Sequence, residues 1–220
     1  MTLAAVIFDM DGLMFDSERT AREAWRDALA AYGIDLDDAV YLRAVGRTAA
    51  EARTVFVDAY GQDLPISDIE ADKAARLAAA LHPAPPLKPG LVELLDVIAG
   101  LGIPAAVASA TAGPEVRHRL ATAGLEDRFA VVVGGDEVAA GKPAPDLFLR
   151  AAGLLGAVPA GCVVLEDSEA GIRAAAAAGM IPVMVPDLVP PSPECSRLCE
   201  SVVGTLAEAA IVLRTLADAD

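Results

Sequence analysis

Short apolar segments recur along the chain and alternate with longer segments in which apolar residues are spaced three or four apart. Each short segment is rich in Val, Ile or Ala and is followed by acidic or small residues. They cover residues 3–8, 103–108, 129–133, 162–165 and 181–185. Continuous apolar runs of this length are typical of strands buried on both faces of a parallel sheet. Because helical segments separate them, we predict an α/β fold, with a three-layer, Rossmann-like core built around a parallel sheet.

Residues 17–82 break this alternation, since they carry only the helical pattern. A first helix is predicted from Ser17 to about Gly33, where the glycine can end it. Further helices are predicted at about 37–45, 48–60 and 67–81. The region is therefore expected to be an insertion made of helices alone.

A proline-rich segment, residues 82–90, ends this helical region and has the composition of a linker. We therefore predict two domains. Residues 1–16 and 86–220 form an α/β core domain, and residues 17–85 form an inserted α-helical bundle domain. A last helix is expected over about 197–218, where apolar residues again follow a helical spacing.

Composition and charge exclude several classes of protein. Of 220 residues, 55% are hydrophobic and 22% charged, as in globular domains, and the net charge is −15. So acidic a chain lacks the basic surface that nucleic acids or anionic membranes require. The apolar runs are shorter than the ~18 residues of a membrane span, and residues 1–8 lack the basic start of a signal peptide. We expect a cytoplasmic protein, monomeric by default, with no nucleic-acid or membrane partner.

Polar side chains follow the predicted strands at what should be a single edge of the sheet, where open α/β sheets bind their ligands. They are mainly carboxylates, with one hydroxyl and one lysine, and a glycine lies among them. These residues are Asp9, Asp11, Gly12, Ser109, Lys142, Glu166 and Asp167. Clustered carboxylates repel one another unless a cation shares them, and hard oxygen donors suit Mg²⁺. The sequence therefore predicts a site that holds Mg²⁺ and a phosphate group.

These residue types also suggest a reaction. Asp9 is a candidate nucleophile, because a carboxylate is already ionised at neutral pH. Asp11, two residues on, can protonate a leaving oxygen and then deprotonate a water molecule. Gly12 allows a tight turn around the phosphate. Ser109, the backbone at Ala110 and Lys142 (listed above) are expected to hold the phosphoryl oxygens.

Four segments resemble, in order, the four motifs of the haloacid dehalogenase superfamily of phosphotransferases. They are FDMDGLMFDSE (8–18), VASAT (107–111), GKPAPDLF (141–148) and LEDSEAGIRAA (165–175). Together they run from the first predicted strand to the helix after the fourth. The resemblance implies the α/β core of that family, and it implies that the helical insertion is the family's small cap.

The resemblance also implies roles for individual residues. Asp9 matches the nucleophile and a metal ligand, and Asp11 matches the acid/base, with its backbone carbonyl as a second metal ligand. Asp167 matches the remaining carboxylate ligand. Glu166 and Ser168 are expected to orient metal-bound water or the phosphate-binding lysine.

Cap residues are expected to select the substrate. Glu18 lies in Ser17-Glu18, which follows Asp16 at the end of motif one and resembles phosphatase members of the family. Arg47 lies in Gly46-Arg47-Thr48, which resembles the family's substrate loop, and Lys73 is a further basic candidate. Asp16 is expected to act structurally at the cap hinge.

Alternative activities within the superfamily differ at recognisable positions. Dehalogenases lack the second aspartate, so Asp11 argues against them, and phosphonate hydrolases need a lysine near the start of the cap, whereas Lys73 comes late. Mutases similar to β-phosphoglucomutase carry a histidine five residues after the position of Asp16, where this chain has Ala21. We predict a Mg²⁺-dependent phosphatase of small phosphorylated metabolites, sugar or polyol phosphates first, working through an aspartyl phosphate. A sugar-phosphate mutase is the alternative, and a phospho-accepting protein without turnover is a third.

Overall fold

Two compact units make up the chain in the computed structural model, which describes residues 3–45, 47, 49–82 and 86–218. The first unit comprises Met1–Phe15 and Pro86–Asp220, and the second comprises Asp16–Pro85. The first contains the sheet and the second is helical. Asp16 thus groups with the helical unit rather than with the sheet.

The sheet of the first unit is entirely parallel, and over the described residues it has six strands in the order β3-β2-β1-β4-β5-β6. The strands are β1 (Ala5–Phe8), β2 (Ala105–Ala108), β3 (Val131–Val133), β4 (Cys162–Glu166), β5 (Ile181–Met184) and β6 (Ser201–Val202). Phe8 is in register with Val107 of β2 and Leu165 of β4. The three central strands therefore end side by side, and the residues that follow them meet at one edge. The predicted parallel α/β sheet is confirmed.

The helices have the following bounds. They are α1 (Ser17–Ala30), α2 (Asp38–Ala44), α3 (Ala49–Tyr60), α4 (Ile66–Ala80), α5 (Leu91–Gly100), α6 (Gly113–Thr122), α7 (Asp146–Leu155), α8 (Glu169–Ala177), α9 (Pro193–Ser196) and α10 (Leu206–Asp218). Helices α1 to α4 belong to the helical unit, and α5 to α10 belong to the unit with the sheet.

Both faces of the sheet are covered, because side chains alternate along each strand. Val6 and Phe8 point into one apolar cluster, which also contains buried residues of α5, α6 and α10. Ala5 and Ile7 point into a second cluster with buried residues of α7 and α8. The fully buried β1 is thus sandwiched between two helical layers, as its uninterrupted apolar sequence predicts.

The helical unit has its own core. The rings of Trp25 on α1 and Phe56 on α3 stack with centroids 4.1 Å apart, and Phe56 is fully buried with Ile69 of α4. The hydroxyl of Tyr41 on α2 donates to the backbone carbonyl of Glu18 at 3.0 Å. Contacts among all four helices therefore hold this unit together.

Two short backbone segments of the first unit flank the point where the helical unit is inserted. Phe15 forms an antiparallel bridge with Leu87, and the N–H of Lys88 donates to the carbonyl of Met14 at 2.8 Å. The chain thus leaves and re-enters this unit through neighbouring segments.

The predicted helix over about 197–218 is wrong over residues 197–205. Helix α10 begins only at Leu206, and β6 precedes it. The N–H of Glu200 donates to Pro182 O at 2.8 Å and the N–H of Val203 to Met184 O at 2.9 Å, so this segment joins the sheet beside β5. Thr205 then starts the helix, because its Oγ1 accepts from the N–H of Glu208 at 3.2 Å. None of the described helices is long and apolar enough to cross a membrane.

Candidate active site

Asp9 lies at the carboxyl end of the central strand. Its N–H donates to Leu165 O at 3.0 Å, which continues the pairing of β1 with β4 by one residue. Its side chain is only 9% exposed, and the carboxylate accepts a hydrogen bond from Nζ of Lys142. The predicted nucleophile is therefore a buried carboxylate held by a buried ammonium.

Lys142 joins two carboxylates. Besides Asp9, its Nζ donates to Oε1 of Glu166 at 2.5 Å, and the Lys142 side chain is 8% exposed. The ammonium also lies 5.0 Å from the ring centroid of Phe148. Three charged groups from three parts of the chain thus form one buried cluster.

Glu166 is fully buried at the end of β4. Its Oε2 accepts from both the N–H and the hydroxyl of Ser168, each at 2.8 Å. The same hydroxyl accepts from the N–H of Gly171 at 3.1 Å, as the N-cap of α8. Glu166 and Ser168, predicted to have orienting roles, therefore form one hydrogen-bonded group with Lys142.

Burial and charge perturb the two partners in this cluster. Burial raises the pKa of Asp9 to about 7, against the effect of Lys142 and with a further contribution from Glu166. Burial also disfavours the charged form of Lys142, but the carboxylates of Asp9 and Glu166 outweigh it and raise the pKa of the lysine above its usual value. The lysine therefore keeps its positive charge at neutral pH.

Asp167 lies against the loop that follows β1. Gly12 in that loop has φ = +81°, and its N–H donates to Phe15 O at 3.0 Å. A Cβ built on Gly12 would lie 2.1 Å from Oδ2 of Asp167. Glycine is required here both for the left-handed backbone and for the close approach of the carboxylate.

The predicted metal ligands are oxygen donors of the kind that Mg²⁺ prefers. Over the described ranges, no three or more His, Cys, Asp or Glu side chains are grouped as a metal site. The predicted set therefore depends on the backbone carbonyl of Asp11, since the Asp11 side chain is engaged elsewhere. With that carbonyl, Asp9 and Asp167 give a set of hard oxygen donors whose chemistry fits Mg²⁺.

The carboxylate of Asp11 is held by two side chains to which the sequence analysis assigns no role. Oδ2 accepts from Oγ1 of Thr111 at 2.8 Å, and Oδ1 accepts from a guanidinium nitrogen of Arg119, also at 2.8 Å. Thr111 lies within motif two, two residues after Ser109, so its position in the sequence could have marked it as a site residue. Arg119 lies two turns along α6 and looks in the sequence like any surface arginine.

Ser109 lies at the end of β2 and is buried, with its Oγ accepting from the N–H of Thr111 at 3.1 Å. Ala110 is exposed beside it. Gly135 packs against this turn, since a Cβ there would lie 2.3 Å from Ala110 O. The register of the sheet therefore brings motif two to the edge that carries Asp9, as predicted from the parallel topology.

The three cap candidates line a single cavity of about 440 Å³ within the helical unit. Glu18, Arg47 and Lys73 share it with Trp25, and Lys73 Nζ lies 5.7 Å from the Trp25 ring centroid. Burial lowers the pKa of Lys73, against the effect of Glu18. Gly46 and Thr48, the neighbours of Arg47 in its predicted substrate loop, lie outside the described residues.

Gly171→Ala is expected to disrupt the buried cluster. A Cβ at Gly171 would lie 1.8 Å from Oε1 of Glu166, so the carboxylate must move away from Lys142. We expect the free energy of unfolding to fall by more than ~2 kcal/mol, although alanine favours helix by ~1 kcal/mol. Urea unfolding measures this. Gly153→Ala, also within a helix but with nothing within 4 Å of the new Cβ, is the control and should leave stability unchanged or raise it.

The family model of haloacid dehalogenase-like hydrolases matches residues 3–179, which span all four motifs. The chain belongs to this family. The resemblance read from motifs one to four is confirmed, and so is the α/β fold that it implies.

Two relatives with named activities resemble this chain over most of its length. The fructose-1-phosphate phosphatase YqaB of Escherichia coli is 35% identical over 80% of this chain and 93% of its own. The bifunctional riboflavin kinase/FMN phosphatase of Arabidopsis thaliana is 33% identical over 84% of this chain, which spans only 49% of that longer protein. Both are named as phosphatases.

A solved structure of the family has a similar fold over nearly the whole chain. It is a HAD family hydrolase from Deinococcus radiodurans, crystallised with bound phosphate and sodium. It superposes with a TM-score of 0.84 at 29% identity, covering 97% of this chain and 96% of that one.

Proposed function

We propose that this chain is a Mg²⁺-dependent phosphatase of small phosphorylated metabolites, with sugar and polyol phosphates as the first candidates. The observation that carries this proposal is the buried cluster of Asp9, Lys142 and Glu166 at the carboxyl edge of the sheet, with Asp11 two residues beyond the nucleophile. The similarity to a fructose-1-phosphate phosphatase supports the substrate class.

The reaction has two displacements at phosphorus. A carboxylate oxygen of Asp9 attacks phosphorus, the bond to the ester oxygen breaks, and Asp11 gives that oxygen a proton as the alcohol leaves. Asp11 then takes a proton from a water molecule, which attacks the aspartyl phosphate. Inorganic phosphate leaves and the Asp9 carboxylate is restored, so that atoms and charge balance.

Other residues of the cluster hold the phosphate rather than react. Lys142 and Ser109 hydrogen-bond phosphoryl oxygens, and Glu166 fixes the direction of the lysine. When bound by Asp9, Asp167 and the carbonyl of Asp11, Mg²⁺ offsets negative charge on the phosphoryl group. The ammonium of Lys142 also offsets negative charge on the phosphoryl group.

The cavity of the helical unit is proposed to recognise the leaving group. Glu18 and Lys73 offer an acceptor and donors to hydroxyls of a sugar or polyol, and Arg47 is available to a second anionic group. Ala21 lines the same cavity and stands at the sequence position where mutases similar to β-phosphoglucomutase carry a histidine. An apolar methyl there cannot transfer protons, which favours hydrolysis over a mutase reaction.

The test is release of inorganic phosphate from a panel of sugar, polyol and nucleoside phosphates, phosphoglycolate and glucose 1-phosphate. We expect release that requires Mg²⁺, is lost in chelator and is fastest with a sugar or polyol ester. Conversion of glucose 1-phosphate to glucose 6-phosphate without release would identify a mutase instead. A stable phosphorylated Asp9 that never turns over would identify a phospho-accepting protein.

A further inference from the structure

Asp11 has a hydrogen-bond partner on each carboxylate oxygen, and both partners come from the segment around α6. Thr111 precedes the helix and reaches Oδ2, while Arg119 lies in its second half and reaches Oδ1. The proposed acid/base is thus held by two donors, one just before α6 and one on it.

The Arg119 side chain is mostly buried and is held in position by a second contact. Its side chain is 13% exposed, and its Nε donates to Oε1 of Glu115 at 2.8 Å, one helical turn earlier. The guanidinium is therefore anchored by a carboxylate of its own helix and directs another nitrogen at Asp11. Arg117 on the same helix differs, since its side chain is 54% exposed and it pairs with Glu137 at 3.3 Å.

The two partners of Asp11 differ in whether they can hydrogen-bond a protonated carboxyl oxygen as well as an ionised one. A guanidinium has only donors and stays charged, so the oxygen that faces Arg119 is kept as an acceptor. A hydroxyl both donates and accepts, so Thr111 can hydrogen-bond Oδ2 whether or not that oxygen carries a proton. A proton on Oδ1 would weaken the charge-assisted bond from Arg119, so Oδ2 carries the transferred proton at the lower cost.

We propose that Arg119 is a positioning residue for the reaction, which fixes the Asp11 carboxylate so that proton transfer runs through Oδ2 beside Thr111. This inference rests on the phosphatase activity proposed above. Arg119 acts through Asp11 and does not touch the reacting atoms. Without it the carboxylate can rotate about its side-chain bonds, and the proton is no longer directed at the leaving oxygen.

The dependence on the leaving group distinguishes this role from a structural one. Departure of an alkoxide needs a proton, whereas p-nitrophenolate leaves readily without one. We expect Arg119→Ala to lower kcat/KM by ~10–100-fold for the best alkyl phosphate and by less than ~3-fold for p-nitrophenyl phosphate. Arg119→Lys should recover part of the alkyl activity. Arg117→Ala, the matched control, should change neither value.

A double-variant cycle tests whether Arg119 works through Asp11. Adding Arg119→Ala to Asp11→Asn should cause no further loss with the alkyl phosphate, because the acid is already absent. Equal losses on both ester classes, no loss in the single variant, or a full further loss in the double variant would each overturn the positioning role. A wild-type chain that hydrolyses neither ester would overturn the phosphatase itself, which separates the two failures.

Discussion

Replacing Asp9 by Asn is expected to lower phosphate release from the best ester by on the order of 10⁴-fold or more, because the amide cannot form the acyl phosphate. Asp9 is the carboxylate that ends the central strand and contacts Lys142. Steady-state release of phosphate, with Asp9→Ala beside it to exclude slow deamidation, measures the loss. The fold should survive, since the amide oxygen can still accept from the lysine.

The control for this substitution is Asp96→Asn, because Asp96 pairs with Arg128 on the exposed surface and is 66% exposed. It should leave turnover unchanged. Acid quenching of the wild-type enzyme during turnover should add one phosphoryl group to the peptide that contains Asp9. Retention of substantial activity in both Asp9 variants would mean that another group attacks phosphorus.

Lys142→Met is expected to remove activity and to destabilise the fold by ~3–5 kcal/mol. The lysine is the cation between Asp9 and Glu166, and both carboxylates are buried. Without it two like charges face each other away from water, which is costly unless one takes up a proton. Urea unfolding and phosphate release report the two effects separately.

Two further variants make the cause of that destabilisation measurable. Lys142→Met with Glu166→Gln removes one of the opposing charges, so it should regain part of the lost stability while remaining inactive. Arg128→Met breaks an exposed ion pair with Asp96 and should cost less than ~1 kcal/mol. If Lys142→Met were as stable as the wild type, the buried carboxylates would not need the lysine in the folded state.

The sheet and its edge could be predicted from sequence because both follow from simple periodicities. Buried parallel strands leave uninterrupted apolar runs, and the polar residues after them must meet once the strands are parallel. Asp9 and Ser109 directly follow β1 and β2, and Glu166 is the last residue of β4; these three strands are adjacent in the sheet. Once these parallel strands lie next to one another in the sheet, the residues at their carboxyl ends must cluster.

Contacts between residues that are distant in the sequence have no comparable sequence pattern from which they could be predicted. Arg119 reaches Asp11 across 108 residues of sequence, and nothing distinguishes it in the sequence from Arg117 two residues away. The helix before residue 206 was predicted from helical spacing, but Val202 pairs with β5 as an edge strand. A Thr205–Glu208 capping signal was present and marks where the helix begins.

The paired segments at residues 14–15 and 87–88 have a consequence for how such an enzyme diversifies. Because Phe15 bridges Leu87 and Met14 accepts from Lys88, the two ends of the insertion are tied together within the sheet unit itself. For that unit the insertion is a loop whose two ends are already held together. Doubling the length of a flexible loop costs only ~0.6 kcal/mol in closure entropy. Insertions of very different size and sequence can therefore be accommodated at this junction while the cluster of Asp9, Lys142 and Glu166 stays within the sheet unit.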